Sequence, residues 1–473
     1  MRRRRWFLAG AALVLIVLPL FVAITWVSDN WELWFAPELI RAAQASEPKL
    51  RIVVGKNVQI SAARSDVVHQ GCTIAADASV PPRLFAASMA TPSNKPAGIA
   101  GYFSHDGGVS WQLGLERTGP TRSEGCSDEA LAFGADGELF LAHIRGRGER
   151  SGQALGDVEL LASADGGKTW ADRAVIKSGL VDRPQLAADS TPGPFRGRLY
   201  CSANILAGEH NIAAVYASAD AAKIMTRAGS PSPTVLTVYN SNPVVLADGT
   251  VVVAYHKIGE NAMRSARIPV WRSTDGGGSF VAVTPVRTVW RHPKEHSASG
   301  TTMYPLLAAD SVSTTLAGRL YCVWVDGRFV MFSSSADRGD TWSNPILLSE
   351  QPLQLDGKGD YWAGTPAVAV NNLGQVAVLW YDRRTLPPMV ALPNGASKMA
   401  GYNLRLRVST DGGLTWLSSI RVNDAPGRGD PGDIRAWIGM AASADGRFHP
   451  AWISDSSGIL QIWTAAVSLE EVP

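Results

Sequence analysis

The chain repeats one eight-residue phrase, Ser-x-Asp-x-Gly-x-(Ser/Thr)-(Trp/Phe), five times. The copies begin at Ser104, Ser163, Ser273, Ser335 and Ser409. Self-similarity of this kind is the signature of a repeat architecture, in which each unit buries its apolar faces by stacking on its neighbours. The repeat therefore constrains the fold strongly, although it leaves the function open.

Each copy lies between two apolar runs and is predicted to be the turn of a hairpin. Its Asp and Ser/Thr side chains can hydrogen-bond nearby backbone groups, and its glycines can adopt positive φ without steric cost. The closing Trp or Phe begins the next strand, and we expect its ring to pack between neighbouring units. A shared catalytic or metal-binding role for the repeated aspartates is disfavoured, because one per unit spreads them around a ring. These aspartates are Asp106, Asp165, Asp275, Asp337 and Asp411.

The phrase resembles the Asp box, or bacterial neuraminidase repeat, of sialidases and of other β-propellers, some of which are not enzymes. The repeat extends over about residues 50–470. The resemblance implies an all-β propeller of four-stranded blades. It also implies that the loops joining strand D to strand A, and strand B to strand C, share one face, with the boxes on the other.

The spacing of the copies predicts the number of blades. Successive box aspartates are 59, 110, 62 and 74 residues apart, and a degenerate copy, Tyr216–Asp220, divides the longest interval. The innermost strands are predicted to begin near residues 73, 129, 184, 243, 303, 365 and 437. Seven blades are therefore predicted, with six, the number in sialidases, as the alternative. The seventh unit lacks a box and a fourth strand, so the run Leu50–Ile60 is predicted to complete it and close the ring.

The N-terminal segment is predicted to lie in a membrane. Four arginines, Arg2 to Arg5, precede residues 6–27, which carry no charge and are long enough to span a bilayer. A cleaved signal peptide is the alternative, but the candidate cleavage site Ala43–Ala45 lies far beyond the apolar run. We expect a cytoplasmic start and signal anchor (1–28), a linker (29–49) and an extracytoplasmic propeller (50–473), in a bacterial periplasm or at the cell surface.

Charge and motifs exclude several classes of ligand. The formal net charge is +2, and becomes −2 without the four N-terminal arginines, which disfavours nucleic-acid binding. No glycine-rich loop leads from a strand into a helix, so no nucleotide cofactor is predicted. His292 and His296 have a metal-like spacing, but Pro293 argues against a helix there and no metal is predicted.

The four cysteines fall into two pairs. Cys201 and Cys322 occupy equivalent strand-B positions in non-adjacent blades and are predicted to be buried free thiols. Cys72 and Cys126 both precede strand A in adjacent units, so a disulfide and two free thiols remain open for them.

The loops on the face opposite the boxes are more charged than the chain average of 18%. Asp326, Asp382 and Asp455 recur at strand-B ends, which favours a structural role for each of them. The alternative is a cleft for an acidic sugar. Sialidase chemistry requires arginines for the substrate carboxylate, a tyrosine nucleophile and an aspartic acid. The Phe-Arg-Ile-Pro signature of that family is replaced here by Arg51-Ile-Val-Val.

Loop position selects the candidate site residues. The candidate nucleophile is Tyr361, with Asp360 beside it, and Tyr304 is the second candidate and a substrate contact. The candidate acids are Asp128 and Glu129. The candidate carboxylate-binding residues are Arg183, Arg328, Arg383 and Arg435.

Two functions follow from these patterns. The first is a sialidase-like glycoside hydrolase acting on extracytoplasmic glycans. The second is a non-catalytic propeller that binds a glycan or a protein of a membrane-associated complex. A glucan-cleaving enzyme is a weaker third, since such Asp-box proteins hold their carboxylates between two propellers and one is predicted here. Convergence of arginines near Tyr361 or Tyr304 would favour the first function, and scattered charges the second.

Overall fold

The computed structural model describes residues 49–472 apart from several internal gaps. These gaps are residues 93–95, 120, 122–123, 151–152, 180, 208–209, 221–222, 224, 230–236, 259–266, 288–304, 327–328, 350–362, 387–389, 392–396, 399–400 and 429–436.

The described strands form seven antiparallel blades, as the repeat predicted. The chain begins with β1 (Leu50–Val54), β2 (Val58–Gln59) and a short 3-10 helix (Ile60–Arg64). Blade 1 is β3 (Val68–Ala76), β4 (Leu84–Thr91), β5 (Gly98–Ser104) and β6 (Gln112–Thr118). Blade 2 is β7 (Cys126–Phe133), β8 (Leu139–Arg150), β9 (Gln153–Ser163) and β10 (Ala171–Gly179). Blade 3 is β11 (Val181–Ala188), β12 (Leu199–Ala207), β13 (His210–Ser218) and β14 (Thr226–Gly229).

The remaining blades follow the same order. Blade 4 is β15 (Thr237–Asn240), β16 (Val244–Val245), β17 (Val251–Ile258), β18 (Arg267–Ser273) and β19 (Val281–Arg287). Blade 5 is β20 (Leu306–Ala309), β21 (Leu320–Asp326), β22 (Phe329–Ser335) and β23 (Ile346–Leu347). Blade 6 is β24 (Ala363–Val370), β25 (Val376–Asp382), β28 (Asn403–Ser409) and β29 (Ile420–Arg421), with a hairpin of β26 (Val390–Ala391) and β27 (Ser397–Lys398). Blade 7 contains β30 (Gly439–Ala442), β31 (Phe448–Ser454), β32 (Gln461–Thr464) and β33 (Val467–Glu471).

The core lies between the blades. Strand β25 is buried at every position because both of its faces pack on neighbouring blades, and it therefore lacks the alternating pattern of a half-exposed strand. The outermost strand β19 is mostly exposed or partly buried. The innermost strands of successive blades contact one another around the axis of the ring.

The predicted box turns are confirmed, and each is a local hydrogen-bond network. In blade 4 the Asp275 carboxylate accepts hydrogen bonds from the Ser273 hydroxyl at 2.7 Å, the Ser279 N–H at 2.9 Å and the Ser279 hydroxyl at 2.6 Å. The other four copies repeat this arrangement. These bonds fix the turn between strands C and D.

The aromatic ring that ends the box packs on the preceding blade, as predicted. Trp170 meets Phe85 edge-on with ring centroids 5.1 Å apart, and Trp416 meets Phe332 at 4.9 Å. Polar contacts cross the same junctions. Arg198 donates to the Gly276 carbonyl at 2.6 Å, and Arg338 pairs with Asp248 at 2.6 Å. The boxes therefore hold neighbouring blades together as well as folding their own turns.

Protonation of the box aspartates is expected to weaken the fold in acid. The hydroxyl of Ser279, followed by its backbone N–H, lowers the pKa of Asp275 to about 2. A depressed folded-state pKa gives stability that is present above the unfolded value and lost as the pH falls toward the folded one. We expect the free energy of unfolding, measured by urea denaturation, to fall between about pH 4 and pH 2. Asp275→Asn should reduce that slope, and an unchanged slope would show that this carboxylate does not carry it.

The ring closes through a shorter strand than predicted. Within the predicted strand Leu50–Ile60, two separate strands join the sheet of blade 7: β1 pairs with β33, and β2 pairs with β32, where Val58 lies opposite Thr464 and Gln59 opposite Trp463. The run breaks after β1, because the Gly55 N–H donates to the Ala466 carbonyl at 2.8 Å, and Ile60 begins the 3-10 helix. The prediction that an N-terminal strand completes blade 7 is thus confirmed, whereas the prediction of one continuous strand over Leu50–Ile60 was wrong.

The outermost ends of the described chain form a separate small unit, distinct from residues 52–469. Within it, Arg51 pairs with Glu470 at 3.0 Å and the Val472 N–H donates to the Lys49 carbonyl at 2.6 Å. Among the described residues, none belongs to a helix long and apolar enough to cross a bilayer. The predicted anchor, residues 6–27, lies outside them.

All four cysteines are buried free thiols. This confirms the prediction for Cys201 and Cys322, and it decides the open question for Cys72 and Cys126 against a disulfide. Burial raises the pKa of the Cys126 thiol to about 11, so the group stays neutral at physiological pH.

Candidate functional site

Four innermost strands share an irregularity where they enter their blades. Gly71, Asp128, Arg183 and Thr365 have φ values of 64°, 52°, 51° and 52°. Each lies at a shift in the pairing of strand A with strand B. We call these four residues the bulge ring. A non-glycine residue with such a φ costs about 1–2 kcal/mol, and strain of this kind is concentrated at functional sites.

A pair of carboxyl groups joins blades 2 and 3 at the bulge ring. Asp128 is half-buried, is hydrogen-bonded to Asp182 and accepts a hydrogen bond from the Arg183 N–H at 3.3 Å. Asn204 donates to the Asp182 carboxylate at 3.4 Å. Burial, and after it the negative charge of Asp182, raises the pKa of Asp128 to about 6. Asp128 can therefore exchange a proton near neutral pH.

Glu129 is a buried acid next to this pair. Glu129 is only 2% exposed. Within the described part of the chain, neither of its carboxyl oxygens has a hydrogen-bond partner. The Trp437 indole N–H faces it but does not reach hydrogen-bonding geometry. Burial raises the pKa of Glu129 to about 8, so the group is mostly neutral at pH 7.

The side chains of Arg183 and Trp437 contact each other beside Gly71 of blade 1. The guanidinium carbon of Arg183 lies 5.0 Å from the centroid of the Trp437 ring, and Arg183 is only 4% exposed. The ring also covers Gly71, where a Cβ atom would lie 3.1 Å from the indole. Asn240 donates to the Arg183 carbonyl at 3.4 Å. Side chains from blades 3 and 7 thus meet beside the carboxyl groups of blade 2, in a cation–π contact.

The strand-B ends are structural, as the recurrence of their aspartates suggested. Asp382 is fully buried and accepts hydrogen bonds from the Arg384 N–H at 2.8 Å and from its Nε at 2.9 Å. Asp455 accepts the Arg428 N–H at 2.6 Å. The guanidinium of Arg383 donates to the Gly401 carbonyl, and the residue is 3% exposed. This arginine fastens the base of the long loop of blade 6.

The structure brings together three of the predicted site residues, Asp128, Glu129 and Arg183. Arg383 lies in blade 6 and contacts that loop instead. The other five predicted residues lie outside the described residues and stay predictions: Tyr361, Asp360, Tyr304, Arg328 and Arg435. Sequence reasoning gave no role to Trp437. Its place at the predicted start of strand A of unit 7, near residue 437, is the signal that could have found it.

The comparisons agree with the repeat. The BNR/Asp-box repeat family matches residues 102–113, which span the first box, so the chain carries this repeat. No curated protein sequence matches the chain.

Several solved structures are similar to the chain at low sequence identity. A protein of unknown function from Dyadobacter fermentans DSM 18053 has a TM-score of 0.47 and 12% identity over 90% of this chain and 100% of its own. A mutant α-L-arabinofuranosidase from Fusarium graminearum has a TM-score of 0.45 and 16% identity over 72% of this chain and 92% of its own. The NanB sialidase of Streptococcus pneumoniae has a TM-score of 0.41 and 12% identity over 88% of this chain and 70% of its own.

Proposed function

We propose that the protein is a sialidase-like glycoside hydrolase acting on extracytoplasmic glycans, with Asp128 as its proton donor. The observation that carries this proposal is the half-buried Asp128, held by the Arg183 N–H and poised to titrate near pH 6. A glycosidase needs an acid whose pKa is raised into the working pH range. Its strained backbone conformation places the carboxyl group at the inner end of strand A.

Asp182 tunes the acid and is not the nucleophile. The carboxyl groups of a retaining pair are about 5–5.5 Å apart, to leave room for the sugar between them. Asp128 and Asp182 are hydrogen-bonded and leave no such room. Two carboxyls in contact resist double ionisation, which keeps a proton on Asp128. The nucleophile must then come from another loop, and Tyr361 and Tyr304 remain the proposed groups.

Glu129 limits the negative charge of the site. Because it is mostly neutral at pH 7, it adds little repulsion toward an acidic sugar. Arg183 offsets one of the neighbouring carboxylates. The cluster is therefore compatible with an acidic sugar, for which Arg183 is the one arginine of the cluster.

A second function is favoured by the state of the arginines. Arg183 packs on Trp437, and Arg383 contacts the Gly401 carbonyl. Both residues are buried, at 4% and 3% exposed, so neither guanidinium is open to a substrate carboxylate in this structure. This arrangement suits a propeller that binds a neutral glycan, or a protein of a membrane-associated complex, without catalysis.

Hydrolysis of a panel of fluorogenic glycosides, sialosides included, tests the proposal with the full-length protein. We expect turnover that falls as the pH rises above about 6, because the acid must be protonated. Asp128→Asn should lower kcat/KM at least about a hundredfold. The exposed Asp136, whose side chain is 88% accessible, gives the matched control Asp136→Asn, which should retain full activity.

The other outcomes separate the alternatives. Turnover unaffected by Asp128→Asn would keep the enzyme and reject this acid. Absence of turnover from a folded protein would favour the binding function.

A further inference from the structure

A cavity of about 450 Å³ opens between blades 3 and 4, on the face that carries the boxes. Its walls come from the degenerate third copy, from the start of β14 and from the blade-4 box at Gly276–Gly278. Gly278 occupies a box position where the other four copies carry Val109, Lys168, Asp340 and Leu414. The absence of a side chain at Gly278 leaves room in this junction.

Two arginines line the cavity. Arg198 is fixed, since its guanidinium stacks on Phe195 at 4.9 Å and donates to the Gly276 carbonyl at 2.6 Å. Arg227 is exposed. Its backbone pairs with Tyr216 of β13, but within the described part of the chain its side chain makes no ion pair or hydrogen bond. The acidic residue of the lining, Asp220, accepts a hydrogen bond from the Ser218 hydroxyl at 2.5 Å. Among described residues, neither arginine has a carboxylate partner.

The neighbouring junction provides an internal comparison. A cavity of about 610 Å³ between blades 4 and 5 is also lined by two arginines, Arg272 and Arg338. There, Arg272 pairs with Asp340 at 3.0 Å and Arg338 with Asp248 at 2.6 Å. The positive charge of that junction is neutralised by the protein itself. At the junction of blades 3 and 4, no described carboxylate pairs with the two arginines, so their positive charge remains available to a ligand.

We propose that the cavity between blades 3 and 4 binds an oxyanion, namely a carboxylate, a sulfate or a phosphate group, through Arg227 and Arg198. Guanidinium groups bind such anions through paired, charge-assisted hydrogen bonds. Arg198 is held in place before the ligand arrives, which reduces the entropy lost on binding. The site is distinct from the bulge ring, since the boxes lie at the opposite ends of the blades.

Calorimetric titration of the full-length protein tests this site, with inorganic phosphate, inorganic sulfate and glucuronate as probes. We expect one saturable site for at least one probe, and the strongest binder identifies the anion class. Arg227→Gln should raise its Kd at least about tenfold, because one charge-assisted contact is lost. Arg227→Lys should recover part of the affinity, since it restores the charge without the fork.

The matched control is Arg338→Gln in the neighbouring cavity, which should leave the Kd unchanged. Because Arg227 is exposed, its variants should melt at the wild-type temperature, and any glycoside turnover should be unaltered. Equal affinity in the wild type and Arg227→Gln would overturn the proposal, as would the absence of saturable binding for all three probes.

Discussion

Replacing Gly167 by alanine is expected to lower the free energy of unfolding by about 3–5 kcal/mol. Gly167 is the second glycine of the blade-2 box and has a φ of 101°, which side-chain-bearing residues rarely adopt. An added Cβ would also lie 2.2 Å from the Phe85 ring, which belongs to blade 1. The variant therefore combines backbone strain with a collision across the blade junction.

The matched control is Gly318→Ala. Gly318 has a φ of 87°, but its Cβ would meet nothing within 4 Å. It should lose only the backbone cost of about 1–2 kcal/mol. Urea denaturation of both variants separates the two contributions. Equal losses would mean that the contact between the box and the preceding blade carries no stability of its own.

Replacing Glu129 by glutamine is expected to stabilise the protein by about 3–5 kcal/mol at pH 8. The pKa of Glu129 rises from its ordinary 4.5 to about 8 on folding because the carboxyl group is buried. The unfolded chain therefore releases a proton that the folded chain keeps. The contribution of this group to stability therefore falls as the pH rises from about 4.5 to about 8, and it is constant below that window.

Denaturation of the wild type and Glu129→Gln at pH 4 and pH 8 measures this difference. The gain should be present at pH 8 and nearly absent at pH 4. Glu129→Leu also removes the titration and additionally removes the polar group, so its gain at pH 8 should be at least as large. A stability difference between the wild type and Glu129→Gln that is flat across this range would show that the buried carboxyl finds a partner that keeps it ionised.

The two results bear on function as well as stability. An acid held neutral at a cost in stability, beside strained Asp128 and Arg183, is typical of a site retained for its chemistry. If the glutamine variant is more stable and also less active, Glu129 belongs to that chemistry. If the variant is more stable and equally active, the buried carboxyl group lowers stability without contributing to activity.

The blades could be predicted from sequence because their determinants are local. Each box aspartate bonds groups within four residues of itself, so the turn appears as a phrase in the chain. The closing strand was predicted in the right place but too long, because the break after β1 depends on the carbonyl of Ala466 at the other end of the chain.

The candidate site was predicted only in part, for a related reason. Loop position identified Asp128, Glu129 and Arg183, since strand order alone places them at one end of neighbouring blades. The contact of Arg183 with Trp437 depends on the ring bringing blades 3 and 7 together. The direction of Arg383 depends on how the loop of blade 6 folds back to present the Gly401 carbonyl. No local sequence motif predicts either of these two contacts.

Blade 7 can close only after two distant segments of the chain have both been synthesised. Its contacts join residues about 400 positions apart, as where the Ser61 hydroxyl meets the Gln461 amide oxygen at 2.6 Å with a separation of 400. Gln461 is therefore synthesised 400 residues after Ser61. Until Gln461 has been made, the earlier blades cannot close into a ring and keep unpaired sheet edges. That interval is when the nascent chain is most exposed to aggregation and to proteases.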